Sequence, residues 1–156
     1  MQLNTMRCKE CKGEMTIRPL DSFEGEEHGV RLRIRGMPVM QCDGGHKRLV
    51  APEFAVRMME TLLADDSFAP IDEAAQKGLF RKHYCCPSCG QALDEASGDH
   101  FVTESELEIG GLSAFSVKVD LPKYRCAACG HESVEPVEHL RKASVEAFRS
   151  AGIAPA

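Results

Sequence analysis

The spacing of the cysteines limits most strongly what this chain can fold into. Of eight cysteines, six form three C-x-x-C pairs and two stand apart: Cys8/Cys11, Cys86/Cys89 and Cys126/Cys129, then Cys42 and Cys85. A C-x-x-C pair places two thiolates on one turn, where both sulfurs can reach a single tetrahedral ion at about 2.3 Å. This spacing is typical of structural zinc sites and not of a disulfide framework.

The cysteine turns belong to an internal repeat. Cys8 and Cys11 match Cys86 and Cys89 at an offset of 78 residues. A second set matches at an offset of 84: Pro38, Cys42 and Pro52 with Pro122, Cys126 and Pro136. Such self-similarity predicts two structural units of one plan. The additional residues of the second unit are expected around 94–111, where glycine, serine and acidic residues indicate a loop.

Each half reads as a cysteine turn, strands, a second cysteine turn and a helix. Alternation of apolar and polar residues over 30–35 and 115–120 predicts two strands with one buried face. Pro52 and Pro136 are expected in the first turn of the helices. Apolar residues at helical spacing predict one buried stripe on each helix: Phe54, Met58, Met59, Leu62 and Leu63, then Val137, Leu140, Ala147 and Phe148.

These elements predict a small α+β fold of two tandem zinc-ribbon modules. Each module is expected to carry a small antiparallel sheet with zinc-binding turns, followed by an amphipathic helix. The boundaries are 1–66 for the first module, 67–82 for a linker and 83–156 for the second module. Within the linker, a short helix is predicted from Ile71 to Lys77, ended by Gly78.

Two structural zinc ions per chain are predicted from the ligand sets. The second half supplies four cysteines in two turns of matching form: Cys86, Cys89, Cys126 and Cys129. The first half supplies three cysteines and a histidine: Cys8, Cys11, Cys42 and His46. Gly45 stands where the repeat predicts cysteine, and Cys₃His is also a structural zinc combination. The alternative is an exposed His46 beside a three-cysteine zinc whose fourth ligand is water, which would permit catalysis.

Cys85 has no counterpart in the first half. We expect an ordinary, partly buried cysteine beside the turn; the alternatives are ligand exchange with Cys86 and a redox-sensing role. The other histidines are expected to be exposed or to support ligands: His28, His83, His100, His131 and His139. No Ser/His/Asp, phosphate-loop or H-E-x-x-H pattern is present, so we expect neither an enzyme nor a small-molecule substrate.

Composition narrows the location and the partners of the chain. Residues 1–20 contain no basic segment followed by a continuous apolar segment, as a secretory signal peptide would. No apolar run approaches the roughly 18 residues that a membrane-spanning helix needs. We therefore expect a cytoplasmic protein with no membrane partner. The formal net charge is −5, and bound thiolate sites would make it more negative. This balance disfavours nucleic acid as a partner, although a local basic patch can still bind it.

The first half resembles the YgiT-type zinc-finger family, the metal-binding module found at the start of certain antitoxins. The resemblance covers roughly residues 6–64 and rests on the Cys8 turn, the strand 30–34, the run 36–39 into Cys42, and the helix after Pro52. The second half looks like a diverged copy. The family pattern ends in a second C-x-x-C, from which Cys42-x-x-x-His46 departs. Antitoxins of this kind continue into a DNA-binding helix-turn-helix domain, whereas this chain continues into another ribbon.

The resemblance implies a module that holds a protein partner or self-associates. The first hypothesis is therefore a zinc-binding adaptor or antitoxin-like regulatory protein with structural zinc sites. The second is a nucleic-acid-binding zinc ribbon, using a basic row and nearby basic residues: Arg31, Arg33, Arg35, Lys47 and Arg48. The alternative interpretation of that row is a solvated face paired with Glu24, Glu26 and Glu27. A metal-dependent enzyme or sensor, using an open first site, is the weakest hypothesis.

Overall fold

The computed structural model describes residues 6–68, 72–78, 83–93 and 96–155, which form a small α+β structure made mostly of sheet. Two helices are present in this part of the chain, α1 (Phe54–Leu63) and α2 (Glu138–Ser150), with a 3-10 turn (Asp66–Phe68) after α1. The strands follow in chain order: β1 (Met6–Arg7), β2 (Glu14–Pro19), β3 (Phe23–Glu27), β4 (Val30–Arg35), β5 (Pro38–Gln41), β6 (Lys47–Arg48), β7 (Ala75–Lys77), β8 (His83–Cys85), β9 (His100–Leu107), β10 (Phe115–Arg125), β11 (Glu132–Val134) and β12 (Ile153–Ala154). No helix among the described residues is both long and apolar enough to cross a membrane.

The strands form three sheets. One has the order β1-β2-β5-β6-β12, antiparallel except for the parallel pair of β6 and β12. The central sheet has the order β11-β10-β4-β3, with β9 also paired to β10. A small hairpin joins β7 and β8. Because β12 comes from the end of the chain and β6 from its first half, even the first sheet draws on both halves.

The central sheet joins the two repeats directly. Strand β4 of the first half pairs antiparallel with β10 of the second, with Ile34 opposite Val117 and Leu32 opposite Val119. These four side chains are fully buried on one face, in one hydrophobic cluster that contains residues from both halves. The alternating burial predicted for β4 is confirmed. The small antiparallel sheet expected in the first half is present as β1, β2, β5 and β6, whereas the central sheet is built from strands of both halves.

The helices are exchanged between the halves in the same way. Helix α2 lies on β3 and β4 of the first half, whereas α1 approaches β9 of the second half. Phe54 of α1 stacks on Phe115 at a centroid distance of 6.0 Å. The predicted buried stripes are largely confirmed, because all of their residues are buried except Leu63 and Val137, which are partly exposed. Each half therefore covers strands of the other with its helix.

Gly25 permits the closest of these contacts. A Cβ atom at this position would lie 2.1 Å from the carbonyl oxygen of Ala143 and 2.4 Å from the amide nitrogen of Ala147. Both atoms belong to the backbone of α2, which cannot move away as the end of a flexible side chain would. The glycine on β3 thus sets the distance between the helix and the sheet.

Two predictions between the cysteine turns are wrong. The predicted helix from Ile71 to Lys77 is contradicted at Ala75–Lys77, which form β7; Ile71 itself lies outside the described residues. The loop expected over 94–111 contains β9. Its inward face carries Thr103 and Ser105 between Phe101 and Leu107, so its apolar alternation is too weak to recognise.

Pro52 and Pro136 were expected in the first turn of the helices. Each instead stands just before the N-cap residue of its helix, Glu53 and Val137 respectively.

Substitution of Gly25 by valine is expected to separate α2 from the sheet. Overpacking against a rigid backbone should lower the free energy of unfolding by about 3 kcal/mol, measured by denaturant titration. Glu26→Ala is the matched control on the same strand, because it removes only an exposed ion pair and should change stability by less than about 1 kcal/mol. Equal stability of the two variants would contradict the close approach of α2.

Candidate metal centres

Three of the four cysteine turns have the same backbone. In each, the backbone N–H of the first cysteine donates to the carbonyl oxygen of the residue five positions later: Cys8 to Gly13, Cys86 to Gln91, and Cys126 to His131. The residue after the second cysteine has positive φ: Lys12, Gly90 and Gly130. Glycine is the residue that favours this backbone, which explains its place after Cys89 and Cys129. The turn predicted from the sequence is therefore present.

The second cluster brings together the four predicted cysteines of the second half. The Sγ atoms of Cys86 and Cys129 lie 3.6 Å apart, and those of Cys89 and Cys126 lie 3.5 Å apart. All four ligand atoms lie within 4.8 Å of one another. A tetrahedral ion with ligand bonds of about 2.3 Å needs sulfur–sulfur distances of about 3.8 Å. The four thiols are thus already spaced to hold one metal ion.

The first cluster brings together its four predicted residues in the same way. Cys11 Sγ lies 3.6 Å from Cys42 Sγ, and Cys42 Sγ lies 3.2 Å from His46 Nδ1. These atoms and the sulfur of Cys8 again lie within 4.8 Å of one another. The structure therefore places the His46 ring, and not open solvent, at the fourth corner of the first cluster.

The turn that carries His46 is tighter than the other three. Here Cys42 N–H donates to the oxygen of His46, only four residues on, and the residue with positive φ is Gly45. A cysteine at position 45 would need a left-handed backbone that side chains disfavour. The imidazole reaches the cluster from one residue further along, which explains why this turn ends in histidine.

A carboxylate orients the His46 ring. Its Nδ1 faces the sulfurs, while Nε2 lies 2.7 Å from a carboxylate oxygen of Glu10, in the facing cysteine turn. Histidines that bind metals commonly donate their other ring nitrogen to such a group, which fixes the tautomer and strengthens the ligand. The first cluster therefore contains a histidine that could bind a metal ion, together with a carboxylate that would support it.

Backbone amides prepare some of these thiols for metal binding. An N–H at Cys129, together with other donors, lowers the pKa of Cys126 to about 7. Burial would raise the pKa of Cys42, but hydrogen bonds from His46 outweigh it and lower the pKa to about 6. An N–H at His131 acts in the same direction on Cys129, yet burial and the neighbouring thiols raise its pKa to about 12. A cation is therefore needed before all four sulfurs can be thiolates.

Cys85 and His131 lie outside both clusters. Cys85 is buried in β8, and no metal-binding group among the described residues includes it. His131 Nε2 lies 2.9 Å from a carboxylate oxygen of Asp72.

The predicted basic residues are in place, but several of them are occupied. Arg31, Arg33 and Arg35 lie on the exposed face of β4. Arg31 pairs with Glu26 at 3.5 Å and Arg33 with Glu24 at 3.2 Å. Lys47 donates to the carbonyl oxygen of Ala151, and Arg48 contacts the sulfur of Met6. Arg31 and Arg33 are thus neutralised by carboxylates on the adjacent strand, as the alternative interpretation of that row expects.

A buried polar cluster that the sequence did not predict lies between β8, β10 and α2. Tyr84 and Tyr124 both donate to the carboxylate of Glu135, and Nε2 of His139 lies 3.0 Å from the Tyr84 oxygen. Burial, followed by the bond to Glu135 and its charge, raises the pKa of both tyrosines. One signal was available: these are the two tyrosines of the chain, and each stands two residues before a cluster cysteine.

In comparisons with protein-family models, curated proteins and solved structures, nothing matches this chain.

Replacement of Cys126 is expected to abolish metal binding at the second cluster and to leave metal binding at the first cluster unchanged. Cobalt-substituted Cys126→Ser protein should show about half of the thiolate-to-cobalt charge-transfer absorption of the unaltered protein, because one of two sulfur-rich shells is lost. Cys85→Ala is the matched control, since it removes a buried thiol from outside both clusters and should keep the full absorption. Equal loss in Cys85→Ala would mean that Cys85 is a ligand.

Replacement of His46 is expected to loosen only the first cluster. In His46→Ala, one metal ion should pass to a chelator more than about tenfold faster, because even the loss of a supporting partner lowers metal affinity 10- to 100-fold. His131→Ala, which removes a histidine outside the cluster, should release metal at the unaltered rate. Unchanged release from His46→Ala would show that the fourth ligand is another group.

Proposed function

We propose that this chain is a zinc-binding adaptor protein, in which two structural zinc ions hold a small rigid body that binds another protein. The observation that carries the proposal is the closure of both clusters by four protein ligands each, drawn from paired turns. A four-coordinate zinc with no open position stabilises structure and does not activate water. Four thiolates, or three with one imidazole, favour zinc over hard oxygen-binding cations. In this proposal the chain is not an enzyme.

The two zinc ions have a clear structural task. Each cluster joins two turns that are more than 30 residues apart in the sequence, Cys11 with Cys42 and Cys89 with Cys126. The ligands include one buried cysteine on each paired turn, so the ions lie against the protein and not on free loops. Metal bound to such a set contributes directly to the free energy of folding. We therefore propose that the two pairs of cysteine turns are the metal-binding turns of two tandem zinc ribbons.

The exposed face of the central sheet supports a protein partner more than a nucleic acid. Across the strands, one row of facing residues reads Glu24, Arg33, Lys118 and Glu104. A phosphate backbone selects for an excess of positive charge, whereas a row of two acidic and two basic residues suits a partner with a complementary pattern of both signs. The likeness to YgiT-type fingers, which remains a prediction, points to the same kind of role, either with a separate partner or by self-association.

Native mass spectrometry of the untagged protein, purified gently from its own cells, tests the proposal. We expect one zinc ion in each cysteine cluster and a retained protein, or a second copy of the chain. The combined substitution Arg33→Glu and Lys118→Glu should release that partner and keep the zinc, because it reverses charge on the exposed sheet face alone. Arg57→Glu on α1 is the matched control and should retain the partner.

Four results would contradict the proposal. A bare chain, or a partner held equally by the charge-reversed variant, would remove the sheet face as the binding surface. Salt-dependent binding of DNA or RNA that is lost in Arg33→Glu would favour the nucleic-acid hypothesis instead. Unchanged folding and stability after complete removal of the metal would show that the zinc ions are not structural.

A further inference from the structure

A third group of metal-binding side chains lies away from the cysteines, where the β3–β4 turn meets the start of α2. Glu27, His28 and His139 each offer a ligand atom, and the three atoms lie within 4.8 Å of one another. The His28 and His139 rings meet edge to face at a centroid distance of 4.6 Å, and His28 Nε2 lies 3.7 Å from Glu27 Oε1. Two imidazoles and a carboxylate thus converge from two elements of the fold.

The buried ring of His139 is prepared for a ligand. Its side chain is 8% exposed, and Nδ1 is one of two buried side-chain polar atoms among the described residues that have no hydrogen-bond partner. Buried polar atoms of this kind are rare, and an absent ion is one of their explanations. The unpartnered atom therefore requires a partner that the protein itself does not supply.

Hydrogen bonding determines which nitrogen of His139 carries the proton. Tyr84 has one hydroxyl hydrogen, and it donates that hydrogen to Glu135. The Tyr84 oxygen can then only accept from Nε2 of His139, 3.0 Å away, and Glu135 also lies 3.5 Å from the same nitrogen. A neutral imidazole protonated at Nε2 has its lone pair on Nδ1. Nδ1 is thus left with the electron pair that binds a metal.

The same arrangement occurs at His46 in the first cysteine cluster. There Nδ1 faces the other ligands, while Nε2 is held by the carboxylate of Glu10. At His139, Nε2 is held by Tyr84 and the carboxylate of Glu135. A carboxylate behind a histidine is the usual support of a metal ligand. The buried polar cluster thus has a purpose beyond packing, because it holds the His139 ring in place beside the His28 ring of the turn.

The turn residues are able to complete the shell. His28 and Gly29 form the two-residue turn between β3 and β4, and both have positive φ. Histidine is among the side chains enriched in this left-handed conformation, which here turns its ring toward α2. Tetrahedral binding at bonds of about 2.1 Å needs ligand atoms about 3.4 Å apart, so the exposed His28 and the part-exposed Glu27 would move inward.

We propose that Glu27, His28 and His139 form a third metal site, which takes a divalent first-row ion such as Zn²⁺ and leaves at least one coordination position to water. Two histidines and one glutamate are a ligand set that binds zinc with an open position. The positive end of α2 opposes a cation near His139, and the carboxylates of Glu27 and Glu135 offset it. This site differs from the cysteine clusters in having no sulfur and in being open.

Cobalt binding to the untagged full chain, with both cysteine clusters filled by zinc, tests the site. We expect each chain to bind one more Co²⁺ ion than the number of zinc ions it releases. This cobalt should give no thiolate charge-transfer absorption, because its ligands are nitrogen and oxygen. His28→Asn, which suits the left-handed turn, and Glu27→Gln should each weaken this uptake at least tenfold. His100→Asn is the matched control, since that exposed histidine pairs with Asp120 elsewhere on the surface, and it should bind cobalt normally.

Nitrogen-15 spectra of the histidine rings provide a second measurement that does not depend on a variant folding. Added Zn²⁺ should shift Nδ1 of His139 and a ring nitrogen of His28 and leave the His100 ring unchanged. No additional cobalt, uptake that persists undiminished in His28→Asn and Glu27→Gln, or an unshifted His139 Nδ1 would each overturn the proposal. None of these outcomes bears on the two cysteine clusters, so the adaptor proposal is tested separately.

Discussion

The pairing of β4 with β10 is the interaction on which the rest of the structure depends. It joins the equivalent strands of the two repeats edge to edge, with Leu32 and Ile34 packed beside Val119 and Val117. Because these strands belong to different halves, neither half encloses its own core. The helices then cover the strands of the opposite half, and one hydrophobic cluster serves the whole described chain. A unit of this size gains buried apolar area by such exchange, which small modules lack when they fold alone.

The metal clusters and the shared core perform different tasks. Each cluster joins distant turns within one half, whereas the central sheet and the exchanged helices join the halves to each other. Loss of metal would therefore loosen a turn pair before it separated the halves. Zinc is well suited to the first task, because thiolate turns need little surrounding core to hold an ion. The close contact of α2 over Gly25 performs the second task without any metal.

Three histidines of this fold each have a carboxylate partner at one ring nitrogen, and they differ in what lies on the other side of the ring. His46 is held by Glu10 and faces sulfur, and His139 is held by Tyr84 and Glu135 and faces the β3–β4 turn. His131, in contrast, pairs with Asp72 near the surface, and no metal-binding group among the described residues includes it. The residue type is the same at all three positions. The chemistry is decided by a carboxylate on one side of the ring and by what lies on the other.

Local features of this protein were determined by the sequence alone: the cysteine turns and their four-residue ligand sets, the alternating strand over 30–35, and the buried stripes of both helices. Each depends on spacing over a few residues, which backbone geometry converts directly into structure. The tertiary structure alone decided the exchange of strands and helices between halves, the strand β9, the pairing of Arg31 and Arg33 with carboxylates, and the meeting of His139 with Glu27 and His28. These contacts depend on which buried faces fit together between segments that are far apart in the sequence. The periodicity of one segment does not indicate which other segment it packs against.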